Sequence, residues 1–211
     1  MFVGHFGPAN IAVAALPQIP PAVFYAGVSF PDLLWGALVI AGVERIVMPS
    51  RSPYQSDIVF THFPYSHSLV LTNLIALLPA AAIAAGLHSP WAGLAFWLAS
   101  LSHWPLDVVV HGRDLPVLGF GRDRLVGWGL WARPWLGFGV EWLTYALPTV
   151  LFLPGEVRWP ALAVGTAYHL VNANSYFGLY GRHPVPWARA YAGVAIAAYV
   201  TLAWWLAALL G

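Results

Sequence analysis

Three ionisable residues stand four apart at the end of an apolar run: His103, Asp107 and His111 in SLSHWPLDVVVHG, residues 100–112. That spacing lines them along one stripe of a helix. An imidazole and a carboxylate one turn apart can chelate a single divalent cation from one helix. The same pair can instead lock two helices together as a hydrogen-bonded knot, and the motif alone leaves both open. Pro105, between them, frees a carbonyl on the preceding turn and can bend the helix. His111 falls at the helix mouth beside Arg113 and Asp114, where a solvated interfacial imidazole is expected.

Other polar groups in apolar surroundings carry their own expectations. In THFPYSHSLVL, residues 61–71, His62 and His67 lie five apart across a turn containing Pro64. Ser66 as a helix N-cap would direct His67 inward. Asp32 in SFPDLLWG reads as an interfacial N-cap, and His5 in VGHFGPA as an exposed headgroup residue. Glu141 lies mid-helix in FGVEWLTYAL with Tyr145 one turn on, so it should face protein rather than lipid. His169, Asn172 and Tyr176 form an i, i+3, i+7 stripe. It suits hydrogen bonding between helices, or the orienting of metal ligands or a headgroup.

The elements that must position these residues belong to a membrane protein. Of 211 residues, 60% are hydrophobic and 8% charged, and mean hydropathy is +0.70. Soluble chains carry roughly 25% charged residues. Long apolar runs rather than short alternating segments predict an all-α polytopic helical bundle and not a β-barrel. Cysteine is absent, which excludes disulfides and thiolate sites, and all nine basic residues are arginines, which excludes lysine chemistry. The net charge of +1 offers nothing to nucleic acid. The N-terminus has no positively charged start and no small-residue cleavage motif, so no removable signal peptide is expected. No internal repeat or low-complexity tail is evident, and residues 1–211 read as one integral membrane domain.

About 20 apolar residues span the hydrocarbon core. Five stretches meet this as full spans: roughly 67–87, 90–111, 134–153, 159–179 and 187–210. The first 48 residues are apolar but cut by Pro17, Pro20, Pro21 and Pro31. They read either as one kinked span or, preferably, as a broken hairpin with half-helices at 6–16 and 21–30, which would level His5 with Asp32. Loops 44–66, 111–133 and 180–189 hold every arginine except Arg158. The positive-inside bias then places these loops in the cytoplasm, and with them His67 and the His103–His111 stripe. The dense tryptophans of VGWGLWARPW suit an interfacial segment beside them.

The order of the pieces resembles the predicted membrane-bound metal-dependent hydrolase family of bacteria. That family's pattern runs from an N-terminal Thr-His to Pro-Asp-Leu-Asp, then His-Arg-Gly-x-Thr-His-Ser, then Ser-His-x-x-x-Asp. Here Gly4-His5, Pro31-Asp32-Leu33, His62-Phe63-Pro64-Tyr65-Ser66-His67-Ser68 and Ser102-His103-Trp104-Pro105-Leu106-Asp107 follow in that order, over about residues 1–115. Phe63 and Leu34 stand where the pattern has an arginine and a second aspartate. The resemblance implies His5, Asp32, His62, His67, His103 and Asp107 as metal ligands. The His-x-x-x-Asp spacing is also similar to that of the all-α zinc phospholipase C and nuclease group, which implies phosphoester hydrolysis.

The expectation is a hydrolase of the bacterial cytoplasmic membrane, working near the cytoplasmic headgroups on a phosphoester or other lipid substrate. Its cofactor would be a divalent metal ion, zinc first, with manganese or iron also suited to imidazole and carboxylate ligands. Asp32 or His62 would serve as general base. The alternative is a non-catalytic membrane protein, a permease-like carrier or a subunit of a larger membrane complex, whose His/Asp cluster is structural.

Overall fold

The computed structural model describes residues 1–49 and 51–211. It is predominantly helical, 69%. A 3-10 turn at Val3–His5 leads into α1 (Phe6–Ala15) and α2 (Pro21–Ala41). Strands β1 (Arg45–Val47) and β2 (Val59–His62) follow, then α3 (Pro64–His67), α4 (Leu71–Gly86) and α5 (Pro90–Val110). A small hairpin, β3 (Leu115–Pro116) with β4 (Leu125–Val126), precedes α6 (Pro134–Phe152), α7 (Gly155–Val171), α8 (Ala173–Phe177) and α9 (Ala188–Leu210). Prolines open α2, α3, α5 and α6, where a missing N–H costs nothing. Ser89 caps α5 by accepting from the Ala92 N–H at 3.2 Å.

Three helices are long and apolar enough to cross a membrane: Pro21–Ala41, Pro90–Val110 and Ala188–Leu210. The five full spans expected from hydropathy are therefore not met. Residues 69–71 give their backbone N–H groups to Pro116, Val117 and Leu118, so α4 starts late and has 16 residues. The expected span 159–179 breaks at Asn172 into the 17-residue α7 and the short α8, which Gly178 ends with φ +66°. α6 is diluted by Glu141, two prolines and two tryptophans. At the N-terminus α1 is half a membrane long as expected, but α2 does not stop at residue 30. It runs through Pro31 and ends at Gly42, whose φ of 77° suits glycine. Asp32 is thus inside a helix rather than at its cap.

α2 is the central helix, flanked by α5 and α9. Small residues allow the close approach, as in membrane bundles generally. A Cβ on Gly27 would lie 2.6 Å from the Phe96 carbonyl oxygen of α5, and one on Gly36 would lie 2.6 Å from Ile196 of α9. A buried polar knot adds direction: Tyr25 donates to Asn10 Oδ1 at 2.7 Å, and Asn10 Nδ2 donates to Thr149 Oγ1 at 2.8 Å, tying α2, α1 and α6 together. One core cluster centres on Phe6, Phe24, Val28, Phe96 and Leu202. A second, with Trp35, Ile46, Ile58, Phe63 and Leu115, joins the helix ends to the antiparallel β1–β2 hairpin.

The Gly27 contact sets the spacing of the two helices that carry Asp32 and His103. Gly27→Leu is expected to destabilise the protein by about 1–3 kcal/mol, the usual cost of overpacking, read as a lower thermal midpoint in detergent. An unchanged midpoint would show that this contact does not fix the helix spacing.

Candidate metal centre

Five ionisable side chains from four elements converge where α2 meets α5. His5 comes from the N-terminal turn, Asp32 from α2, His67 from α3, and His103 and Asp107 from α5. His5, His67, His103 and Asp107 are each at most 5% exposed. Their ligand atoms form two triads sharing His103: His5/His103/Asp107 and Asp32/His67/His103, each within 4.8 Å. His103 Nε2 lies 3.1 Å from Asp107 Oδ2 and 3.4 Å from Asp32 Oδ2. His67 Nε2 lies 3.4 Å from Asp32 Oδ1 and 3.5 Å from Asp107 Oδ2. His5 stacks on His103 with ring centres 3.5 Å apart and reaches Asp107 Oδ1 at 3.1 Å. The Met1 nitrogen lies 2.5 Å from the same oxygen.

The outer nitrogens fix which ring atoms face the centre. His103 Nδ1 is 2.9 Å from the Val28 carbonyl, so it carries the proton and leaves Nε2 with a lone pair. Pro31 lies on the following turn of α2 and removes a ladder bond there. Ser66 Oγ donates to Glu44 Oε2 at 2.5 Å and accepts from His67 Nδ1 at 2.8 Å, with the same result for His67. Glu44 Oε1 also accepts the N–H groups of Tyr65 and Ser66, which pins α3 against the end of α2. Burial pushes the Glu44 carboxyl above its ordinary value, against the pull of the Ser66 hydroxyl.

Lone pairs of two imidazoles therefore face oxygens of two carboxylates. His103 Nε2 and Asp107 Oδ2 have no hydrogen-bond partner although both are buried and only 3.1 Å apart. Electron-rich atoms this close are stabilised by a positive charge between them, a proton or a metal ion. Tetrahedral ligands at about 2.0–2.1 Å from an ion stand roughly 3.3 Å from one another. The four imidazole–carboxylate separations of 3.1–3.5 Å bracket that value, with Asp32 facing His67 through Oδ1 and His103 through Oδ2. The donor set fits a divalent ion.

Of the six ligands the resemblance implies, the structure brings together His5, Asp32, His67, His103 and Asp107. It does not bring in His62, which is exposed on β2 opposite Arg45. Ser66 orients His67 from within α3 and not as its N-cap. His5 is fully buried rather than exposed at the headgroups. His111 is not a solvated rim residue. It is 2% exposed, with Trp131 packed on it at 4.3 Å and His67 at 6.2 Å. Glu44 was not anticipated; its signal was a lone carboxylate closing an apolar helix.

A cavity of about 410 Å³ adjoins the cluster, with Asp32, His67 and Asp107 in its wall. Glu141 lines it too, accepting from the Phe2 N–H at 2.5 Å and from the Tyr176 hydroxyl. His169 lies outside it, stacked on Phe138 and 3.0 Å from that residue's carbonyl oxygen, so this part of the polar stripe ties α7 to α6. No family model matches the chain, and no curated protein or solved structure is significantly similar to it.

Elemental analysis of the purified protein should find about one divalent ion per chain, lost in His103→Ala and Asp107→Ala and retained in His62→Ala. Ser66→Ala should weaken metal affinity roughly 10–100-fold, as loss of a ligand-orienting partner does. Metal-free wild type, or loss of metal in His62→Ala, would contradict this geometry.

Proposed function

We propose that this protein is a membrane-embedded metal-dependent hydrolase acting on a lipid ester. The observation that carries the reading is a cluster with unpartnered His103 Nε2 and Asp107 Oδ2 whose Asp32, His67 and Asp107 line a cavity. An ion sealed inside the fold would serve structure alone. Here Asp32, His67 and Asp107 border open volume, which gives a substrate access to the cluster.

The resemblance to the bacterial hydrolase family supports the same reading through five of its six positions. A bound divalent ion, zinc in the first instance with manganese or iron as alternatives, would acidify a water and polarise an ester carbonyl or phosphoryl oxygen. The chain's residues have separate tasks. His67 and His103 hold the ion through nitrogens aligned by Glu44–Ser66 and by the Val28 carbonyl. Asp32, with 14% of its side chain exposed against 1% for Asp107, is the carboxylate placed to take a proton from water. Trp131, Phe60 and His111 wall the cavity on the arginine-rich side. The positive-inside bias puts that side, and the reaction, at the cytoplasmic headgroups of a bacterial cytoplasmic membrane.

A non-catalytic subunit or carrier with a structural ion is the competing account. The two separate on Asp32→Asn loaded to the same metal content as wild type. The hydrolase reading expects this variant to lose about 10²–10⁴-fold in release of products from mixed lipids, the usual contribution of a general base. The measurement is mass-spectrometric detection of freed headgroups and acids. Metal-loaded wild type that releases neither would contradict it.

A further inference from the structure

The early end of α7 leaves a gap beside α9. The hydroxyls of Tyr168 on α7 and Thr201 on α9 share a hydrogen bond at 2.8 Å. One turn later α7 stops at Val171, and the chain turns at Asn172 into α8, which packs on α6. The loop that returns to α9 meets it again at Tyr191, where His183 rests with ring centres 5.1 Å apart. Residues 191–201 of α9 span about 15 Å. On the α7 side this stretch is bordered, among the described residues, by the last turn of α7 and the His183–Val185 loop.

The cavity comes to the surface at this gap. Val171 and Val194 line it and are nevertheless 85% and 53% exposed, so their side chains stand at its mouth. Ala167 and Ala198 complete an apolar rim. The outer faces of the same two helices are apolar as well, with Leu170, Val200 and Trp204 exposed. α9 is a candidate membrane span, and only 17% of its most apolar stretch is buried inside the fold. An exposed surface of this kind on a spanning helix is covered by hydrocarbon. Inside the mouth the apolar wall continues through Phe2 and Tyr199, whose rings meet edge to face at 4.9 Å. Asp32, His67 and Asp107 line the same cavity.

We infer that the gap between α7 and α9 is a lateral portal, through which an acyl chain of a bilayer lipid enters the cavity directly from the hydrocarbon core. Drawing such a chain through water would cost free energy for every methylene exposed, and an opening between two lipid-facing helices avoids that step. The Tyr168–Thr201 hydrogen bond holds one edge of the portal at a fixed width. A cavity of about 410 Å³ is in the range of small-molecule sites, roughly 300–1,000 Å³. It therefore takes part of a lipid, while the rest of the molecule stays in the bilayer. The inference rests on the hydrolase reading only for what becomes of the lipid's ester; entry of the chain stands on the walls of the gap.

The test places the full-length, metal-loaded protein in phosphatidylcholine vesicles that include phosphatidylcholine with a diazirine near the end of one acyl chain. After irradiation, labelled residues are mapped by mass spectrometry. Labels are expected on Val200 and Trp204, as on any lipid-facing surface, on Val171 and Val194 at the mouth, and on Phe2 and Tyr199 inside the cavity. Ala167→Trp and Ala198→Trp fill the mouth. Each should lose the labels on Phe2 and Tyr199 and keep those on Val200 and Trp204, at unchanged metal content. Ala167 is exposed, so its variant decides the matter if Ala198→Trp does not fold. Wild type labelled on Val200 and Trp204 alone overturns the portal, as do interior labels that persist in Ala167→Trp. A second copy of the chain seated over the gap would leave Val171 and Val194 unlabelled, which also overturns it. Interior labels with no release of headgroups or acids from the same vesicles keep the portal and defeat the hydrolase reading instead.

Discussion

Asp32 and Asp107, brought by two different helices to share His67 and His103, crowd two carboxylates at a largely buried junction that positive charge stabilises. That constraint reaches through the whole fold. It explains why α2 passes so close to α5, why glycine stands at position 27, and why the Val28 carbonyl is available to His103. It also explains the polar relay from Glu44 through Ser66 to His67, which would be an expensive arrangement if it oriented nothing. The hydrophobic core around Phe6, Phe24 and Phe96 holds this junction rigid. Donor atoms are thereby kept near ion-binding spacing without the ion having to draw them together.

The same junction opens on one side. Carboxylates of the cluster end at a cavity lined further by Glu141, by uncharged polar groups such as Asn172 and Ser175, and by apolar residues of α7 and α9. Glu141 and Tyr176 pair at its wall. Their pairing accounts for a glutamate in an otherwise apolar helix, where an unpartnered carboxylate would be costly.

Much of this was legible in the sequence, for identifiable reasons. The His103–Asp107 pair is visible because helical spacing is local, whereas Asp32, which by itself reads as an N-cap, and His67 join the set through the order of the motifs. His62 was expected in the cluster and lies apart from it, since five residues across Pro64 do not fix a side-chain direction and it is exposed on β2 opposite Arg45. His111 misled in the opposite sense, because its cover, Trp131, lies twenty residues away and no local signal links the two. Span lengths were overestimated where tertiary contacts, not hydropathy, set the helix ends: strand-like bonds to residues 116–118 delay α4, and the turn at Asn172 cuts α7. Continuity of α2 through Pro31 was missed because the packing on both of its faces overrides the broken ladder.

The central claim is that the two triads meeting at His103, His5/His103/Asp107 and Asp32/His67/His103, supply the ligands of a divalent ion. X-ray absorption at the metal edge of the loaded, purified protein tests it most directly. The account predicts nitrogen and oxygen neighbours at about 2.0–2.1 Å with outer scattering from at least two imidazoles, and loss of one imidazole contribution in His67→Ala. A metal spectrum without imidazole scattering, or one unchanged in His67→Ala, would contradict it.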